Sequence, residues 1–161
     1  MSVTGVDKDF ENLTLTLTAE FNAPVERVWR LWADPRRLER WWGPPTYPAT
    51  VEEHELAPGG RITYYMTGPE GEKHRAWMRV TSVDAPNSLE YEDGFSDANG
   101  DPVTDIPSMD GRVEISANGD GSRMVIRSTF RSAEHMEQML QMGMDQGMEG
   151  AMGQIDALLA A

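Results

Sequence analysis

The sequence predicts an α+β fold: an antiparallel sheet of about seven short strands, two short helices after the first strand, and one long C-terminal helix. Three observations carry this. Residues 13–21, LTLTLTAEF, alternate large apolar residues with threonine. Residues 49–130 divide into short β-type runs separated by turns rich in Gly, Pro, Asp and Asn. From Ala133 to Ala160 there is no proline, and apolar residues keep helical spacing.

In LTLTLTAEF, period two and β-branched threonines predict a strand whose buried face carries Leu13, Leu15 and Leu17. NAPVERVWRLWAD follows, with Asn22 as a suitable N-cap, Pro24 in the first turn, and Val25, Val28, Trp29 and Trp32 at helical spacing. Asp34 caps a second short helix with Pro35 at its first position and Leu38, Trp41 and Trp42 as its apolar residues. Gly43 ends that helix and Pro44-Pro45 prevent its resumption. ATVEEHEL, RITYYM, HRAWMRVTSV and SLEYED then read as a meander. Residues 94–108 are a long Gly, Asp and Pro-rich loop, and MDGRVEISA and SRMVIRSTF form a hairpin through NGDG. Ser132 is the expected N-cap of the last helix, which spans roughly 40 Å if unbroken.

Composition narrows the function classes. The chain has 161 residues, the size of one ordinary domain, so one domain over 1–161 is expected, with residues 1–10 flexible. There are no cysteines, which excludes disulfides, thiolate metal sites and a cysteine nucleophile. Fourteen basic side chains face 27 acidic ones, a net charge of −13. This disfavours nucleic acid and anionic membrane surfaces as partners. Asp7, Asp9 and Glu11 interrupt any signal-peptide core, and no apolar run is long enough to span a membrane. A cytoplasmic location without membrane insertion is expected.

Four segments in order, FNAPVERVWRLWADPRRLERWWGPP, ELAPGGRITYYMTGPEG, VDAPNSLEYED and MLQMGMDQGMEGAMGQIDALLA, resemble the SRPBCC or START-like superfamily. They are most similar to the group related to the C-terminal domain of the activator of the heat-shock-90 chaperone ATPase. The resemblance covers nearly all of the chain after about residue 10. It implies a helix-grip architecture, in which a curved sheet wraps around the C-terminal helix and leaves a cavity between them. Members of the superfamily bind lipids, sterols, hormones or polyketides, and some are cyclases or hydrolases. The named relative's separate N-terminal domain has no counterpart here, which argues against a chaperone partner.

The last helix is the most informative segment for function. Six of the 11 methionines lie between Met136 and Met152. Methionine fills irregular core gaps, and it also makes adaptable walls for apolar ligands. Gly143, Gly147 and Gly150 form one stripe, each costing up to ~1 kcal/mol against alanine, so either the sheet or a ligand comes close to that face. On the strands, parity groups Ile62, Tyr64 and Met66; Ala76, Met78 and Val80; Leu89 and Tyr91; Val113 and Ile115; and Met124, Ile126 and Ser128. The expected ligand-binding set is Trp42, Tyr64, Met66, Met78, Tyr91, Ile126, Ser128, Met136, Met139 and Gly143, with Tyr64, Tyr91 and Ser128 as polar handles. Of the two adjacent indoles, one is expected in the core and the other to line or lid the cavity entrance, with Trp42 as the candidate lid.

Signals for chemistry are weak, and no catalytic residue, metal ligand or cofactor is assigned. His54 shares its strand face with Glu52 alone, His74 falls at a turn, and His135 is expected exposed in the first turn of the helix. Glu90, Glu92, Asp110 and Glu114 are the strand carboxylates considered, and parity points most of them outward. The leading expectation is a module binding a small hydrophobic molecule, followed by a cavity enzyme of cyclase, hydratase or hydrolase type. A homodimer is compatible with this size, though no residue pattern marks one.

Overall fold

A computed structural model describes residues 3–160. Eight antiparallel strands form one sheet, in the order β1-β2-β8-β7-β6-β5-β4-β3. They are β1 (Val3–Asp9), β2 (Thr14–Phe21), β3 (Ala49–His54), β4 (Arg61–Thr67), β5 (Lys73–Asp84), β6 (Ser88–Phe95), β7 (Met109–Asn118) and β8 (Gly121–Thr129). The sheet is curved and does not close, since β1 and β3 remain its edges. The helices α1 (Val25–Ala33), α2 (Pro35–Leu38), α3 (Ala133–Gln141), α4 (Met144–Met152) and α5 (Ile155–Ala160) complete a helix-grip arrangement.

The alternation in β2 does what its sequence dictates: Leu15, Leu17, Ala19 and Phe21 are buried, and the threonines between them are partly exposed. Leu13 precedes the strand with φ of 58° and is only partly buried. Segment 3–9 departs from the flexible N-terminus expected over 1–10, of which residues 1 and 2 lie outside the described residues. It pairs antiparallel with β2 and adds the eighth strand. Its charges sit on an edge strand, where one side is solvated and only Val3 is buried.

The caps divide between agreement and correction. Asp34 accepts from the Arg36 N–H at 2.9 Å, and Ser132 accepts from the His135 N–H at 3.0 Å. Asn22 does not cap α1; Pro24 holds that position, with no side-chain hydrogen bond. The helix α2 stops at Leu38 rather than Gly43. A turn then carries both indoles, with the Trp41 and Trp42 N–H groups bonding to the Leu38 carbonyl at 3.2 and 3.0 Å.

The single long C-terminal helix is corrected to three segments. Gly143 has φ of 86°, a left-handed conformation that ends α3 and opens α4. The chain turns again at Gly153 before α5. The helix α1 packs over β7 and β8, and α4 over β1 and β2. Their apolar faces and the inner face of the sheet form one core, including Trp32, Trp41, Met124 and Met136.

Candidate functional site

The two tryptophans after α2 are held from three directions. The Trp41 ring N–H donates to the Leu31 carbonyl at 3.0 Å, supplying a partner to a carbonyl near the end of α1. Gln154 donates to the Gly43 carbonyl at 2.7 Å and to the Trp41 carbonyl at 3.3 Å, tying the turn to the segment before α5. Trp32 meets Trp41 edge-on at 4.9 Å between ring centroids and Trp42 at 5.2 Å. Trp41 is fully buried and Trp42 partly so.

Trp41 and Trp42 of this cluster line a cavity of about 380 Å³ between the sheet, the Trp41–Tyr47 turn and the helices α3 and α4. Seven of the 11 methionines line it: Met66, Met109, Met139, Met142, Met144, Met148 and Met152. Of the ten residues expected from sequence, Trp42, Tyr64, Met66, Tyr91, Ile126, Ser128, Met139 and Gly143 are brought together here. Met78 and Met136 stand outside the lining. Both are buried in the core, because strand parity and helix spacing find an inward face without saying how deep each position lies. The exposed residues of the lining are Tyr47, His74 and Met142, which mark the opening. Trp42 is therefore a wall residue, packed edge-on to Tyr64 at 6.2 Å, rather than a rim residue.

The glycines act differently from one another. At Gly111, opposite Tyr91 on β7, a Cβ atom would lie 2.3 Å from the Tyr91 ring, so the missing side chain lets that ring lie across the strand. Gly147 lines the cavity with nothing within 4 Å of its would-be Cβ, and Gly150 meets only Pro44 and Pro45, at 3.7 Å. The glycine stripe therefore does not admit the sheet backbone. Replacing Gly147 by alanine is expected to raise stability by up to ~1 kcal/mol in thermal or urea unfolding, since it adds helix propensity without a clash. Gly143→Ala, at positive φ, is expected to lower it by roughly 1–2 kcal/mol.

One polar group in the wall was missed in the sequence reading. Asp93 lines the cavity beside Tyr64 and Tyr91. Leu89, Tyr91 and Asp93 share one strand face, so parity alone already pointed it inward. Burial pushes its carboxyl up to about 7, while hydrogen bonds from the Tyr64 hydroxyl and the Gly94 N–H act in the opposite direction. Burial, with the Asp93 charge added to it, pushes Tyr64 and Tyr91 well above the ordinary phenol range, so both remain neutral hydroxyls. The Trp42 ring N–H lowers the Tyr64 pKa slightly but stops short of a well-formed hydrogen bond to it, and is buried without a partner.

The carboxylates considered from sequence face outward. Glu90 and Glu114 pair with Arg112, Glu92 with Arg79 at 2.8 Å, and Asp110 with Arg131 at 2.7 Å. His54 donates its Nε2–H to the Trp32 carbonyl at 2.8 Å, which fixes the tautomer with the proton on Nε2. His135 is not exposed: it is 2 % accessible, its Nδ1 accepts from the Arg131 N–H, and burial followed by the Arg131 charge lowers its pKa. Among the described residues no cluster of His, Asp and Glu gathers in a way that could hold a metal, and no helix is long and apolar enough to cross a membrane.

Comparison with known proteins places these features. The family described as Activator of Hsp90 ATPase homolog 1-like protein matches residues 22–160. A crystal structure of a protein from Mycobacterium smegmatis is 49% identical, with a TM-score of 0.91, over 98% of this chain and 96% of that one. A solution structure from Arthrobacter aurescens is 50% identical, with a TM-score of 0.95, over 99% of this chain and 92% of that one. A solution structure from Staphylococcus epidermidis, 24% identical with a TM-score of 0.84 over 98% and 94%, shares the fold. No match is found among curated proteins.

Proposed function

The chain belongs to the family of Activator of Hsp90 ATPase homolog 1-like proteins, and from that premise we propose that it binds a small hydrophobic or amphipathic molecule between the sheet and the helices α3 and α4. The observation that carries this reading is the cavity itself, of about 380 Å³ and walled by seven methionines and the rings of Trp41, Trp42, Tyr64 and Tyr91. Ligand sites are concave and mostly apolar, with a few placed polar groups. Methionine walls adapt to apolar shapes because the side chain is flexible and polarizable. The reading treats the chain as one domain, cytoplasmic, with no cofactor.

The test is direct. Protein purified from its native host is extracted for mass spectrometry, and the stripped protein is titrated with aliphatic alcohols while indole fluorescence is followed. A copurifying apolar compound, or saturable binding that changes the emission of Trp41 and Trp42, is expected. No saturable binding across the panel would overturn the proposal.

A second reading, an acid–base enzyme working inside the same cavity, is favoured by Asp93, an ionisable group poised near neutrality within an apolar wall. Its test is turnover of the bound compound by the protein and loss of that turnover in Asp93→Asn. The family description also refers to an ATPase activator; a pull-down that retains the chaperone specifically would move the reading towards that partner.

A further inference from the structure

The walls of the cavity are mostly apolar, with the hydroxyls of Tyr64, Tyr91 and Ser128 and one carboxyl group, that of Asp93. The Tyr64 hydroxyl and the Gly94 N–H lie beside its carboxyl and favour the charged form against burial. No basic side chain pairs with it among the described residues, although every other carboxylate of β6 and β7 has an arginine partner. The helices offer none either: α3 and α4 present only methionine, glycine and alanine to the lining. Asp93 is half-buried, and a carboxylate partly withdrawn from water without a counter-cation is costly. Beside it stand the rings of Trp42, Tyr64 and Tyr91, whose π faces attract cations.

These features select among head groups. A ligand carboxylate would set like charge against like charge in a low-dielectric wall. An alcohol would satisfy one acceptor and leave the charge unbalanced. An ammonium supplies both the hydrogen bond and the missing charge, and charge-assisted bonds are the stronger kind. We infer that the cavity takes an apolar amine, its ammonium held by Asp93 beside the rings of Trp42, Tyr64 and Tyr91 and its hydrocarbon body laid along the methionines of α4. This rests on the ligand-binding reading above and narrows it to one chemical class.

The preference depends on pH through Asp93. The titratable groups facing it are Tyr64 from β4 and Tyr91 from its own strand, both neutral, with His74 of β5 at the opening. Selection for the amine is expected above neutral pH and is lost as Asp93 gains a proton on acidification.

The experiment compares octylamine, octanol and octanoate at pH 8, in salt sufficient to screen the acidic surface, with indole fluorescence as the readout. Octylamine is expected to bind at least about tenfold more tightly than octanol, with octanoate the weakest, as one charge-assisted hydrogen bond implies. Asp93→Asn is expected to bring octylamine to or below octanol. In the unmodified protein, lowering the pH to 5.5 is expected to erase the same advantage without any substitution. Equal binding of octylamine and octanol, or an amine advantage that survives both Asp93→Asn and acidification, overturns the inference and leaves the proposed function standing. Failure of all three probes to bind overturns both.

Discussion

Trp41→Ala is expected to destabilise the protein by about 3–5 kcal/mol, the range for deleting a fully buried large aromatic side chain. The ring is 0% accessible. Its removal deletes the edge contacts to Trp32 at 4.9 Å and Trp42 at 5.4 Å. It also strips the hydrogen bond from the Leu31 carbonyl, which is then buried without its partner. Trp41→Phe keeps much of the packing and loses the N–H, so roughly 1–3 kcal/mol is expected from the unmet carbonyl and the smaller ring. Urea unfolding of the two variants measures both. A loss under about 1 kcal/mol for the alanine variant would show that the indole cluster does not hold the first helices to the sheet.

Asp93→Asn is expected to stabilise the protein at pH 8 and to flatten its stability between about pH 4 and 7. The folded-state pKa of Asp93 is raised from 3.8 to about 7. Between those values the folded state holds a proton that the unfolded state has released. Stability therefore falls as pH rises through this window, and the group contributes no pH dependence below it. At about 1.4 kcal/mol for each tenfold change in proton affinity, the full rise corresponds to about 4 kcal/mol at most. Asparagine keeps the shape without the charge. Asp145, whose pKa is lowered chiefly by its hydrogen bond to Lys8, works in the opposite sense and loses its contribution as pH falls through its folded value. Thermal unfolding from pH 4 to 8 checks the sign: convergence of the two proteins towards pH 4 is expected, and a variant less stable at pH 8 would contradict it.

The sheet was legible wherever burial alternates strictly. β2 announces itself because each inward residue is apolar and each outward one is polar, and the same parity grouped Tyr64 with Met66 and Ile126 with Ser128, all of which reach the cavity. β1 was not legible. VTGVDKD buries only Val3 and gains its place from backbone pairing to β2, which leaves no mark on side-chain pattern. The break at Gly143 was hidden for a different reason. Leu140, Met144, Met148 and Met152 keep a spacing of four across it, so the apolar pattern does not register the turn. The glycine stripe signalled the spot, but a left-handed φ cannot be told from close packing without coordinates.

Asp93 shows how the site differs from the fold. Its inward direction was available from Leu89 and Tyr91, yet a carboxylate at the end of a strand, beside a Gly and an acidic loop, reads as solvated. Only the depth of the wall, the neutral tyrosines beside it and the missing arginine partner give it meaning. Trp42 lines the cavity, one of the two places the sequence allows it, and the turn after Leu38 folds its ring into the wall and leaves the rim to Tyr47, His74 and Met142.

Methionine methyl NMR addresses the cavity most directly, because the protein carries its own reporters inside and outside it. On titration with octylamine, the ε-methyl resonances of Met66, Met139, Met144, Met148 and Met152 are expected to shift together and saturate. Those of Met78, Met124 and Met136, which lie in the core outside the lining, are expected to stay within the line width. Shifts confined to the exposed Met142, or spread evenly over core and lining methionines, would contradict a ligand held between the sheet and α4.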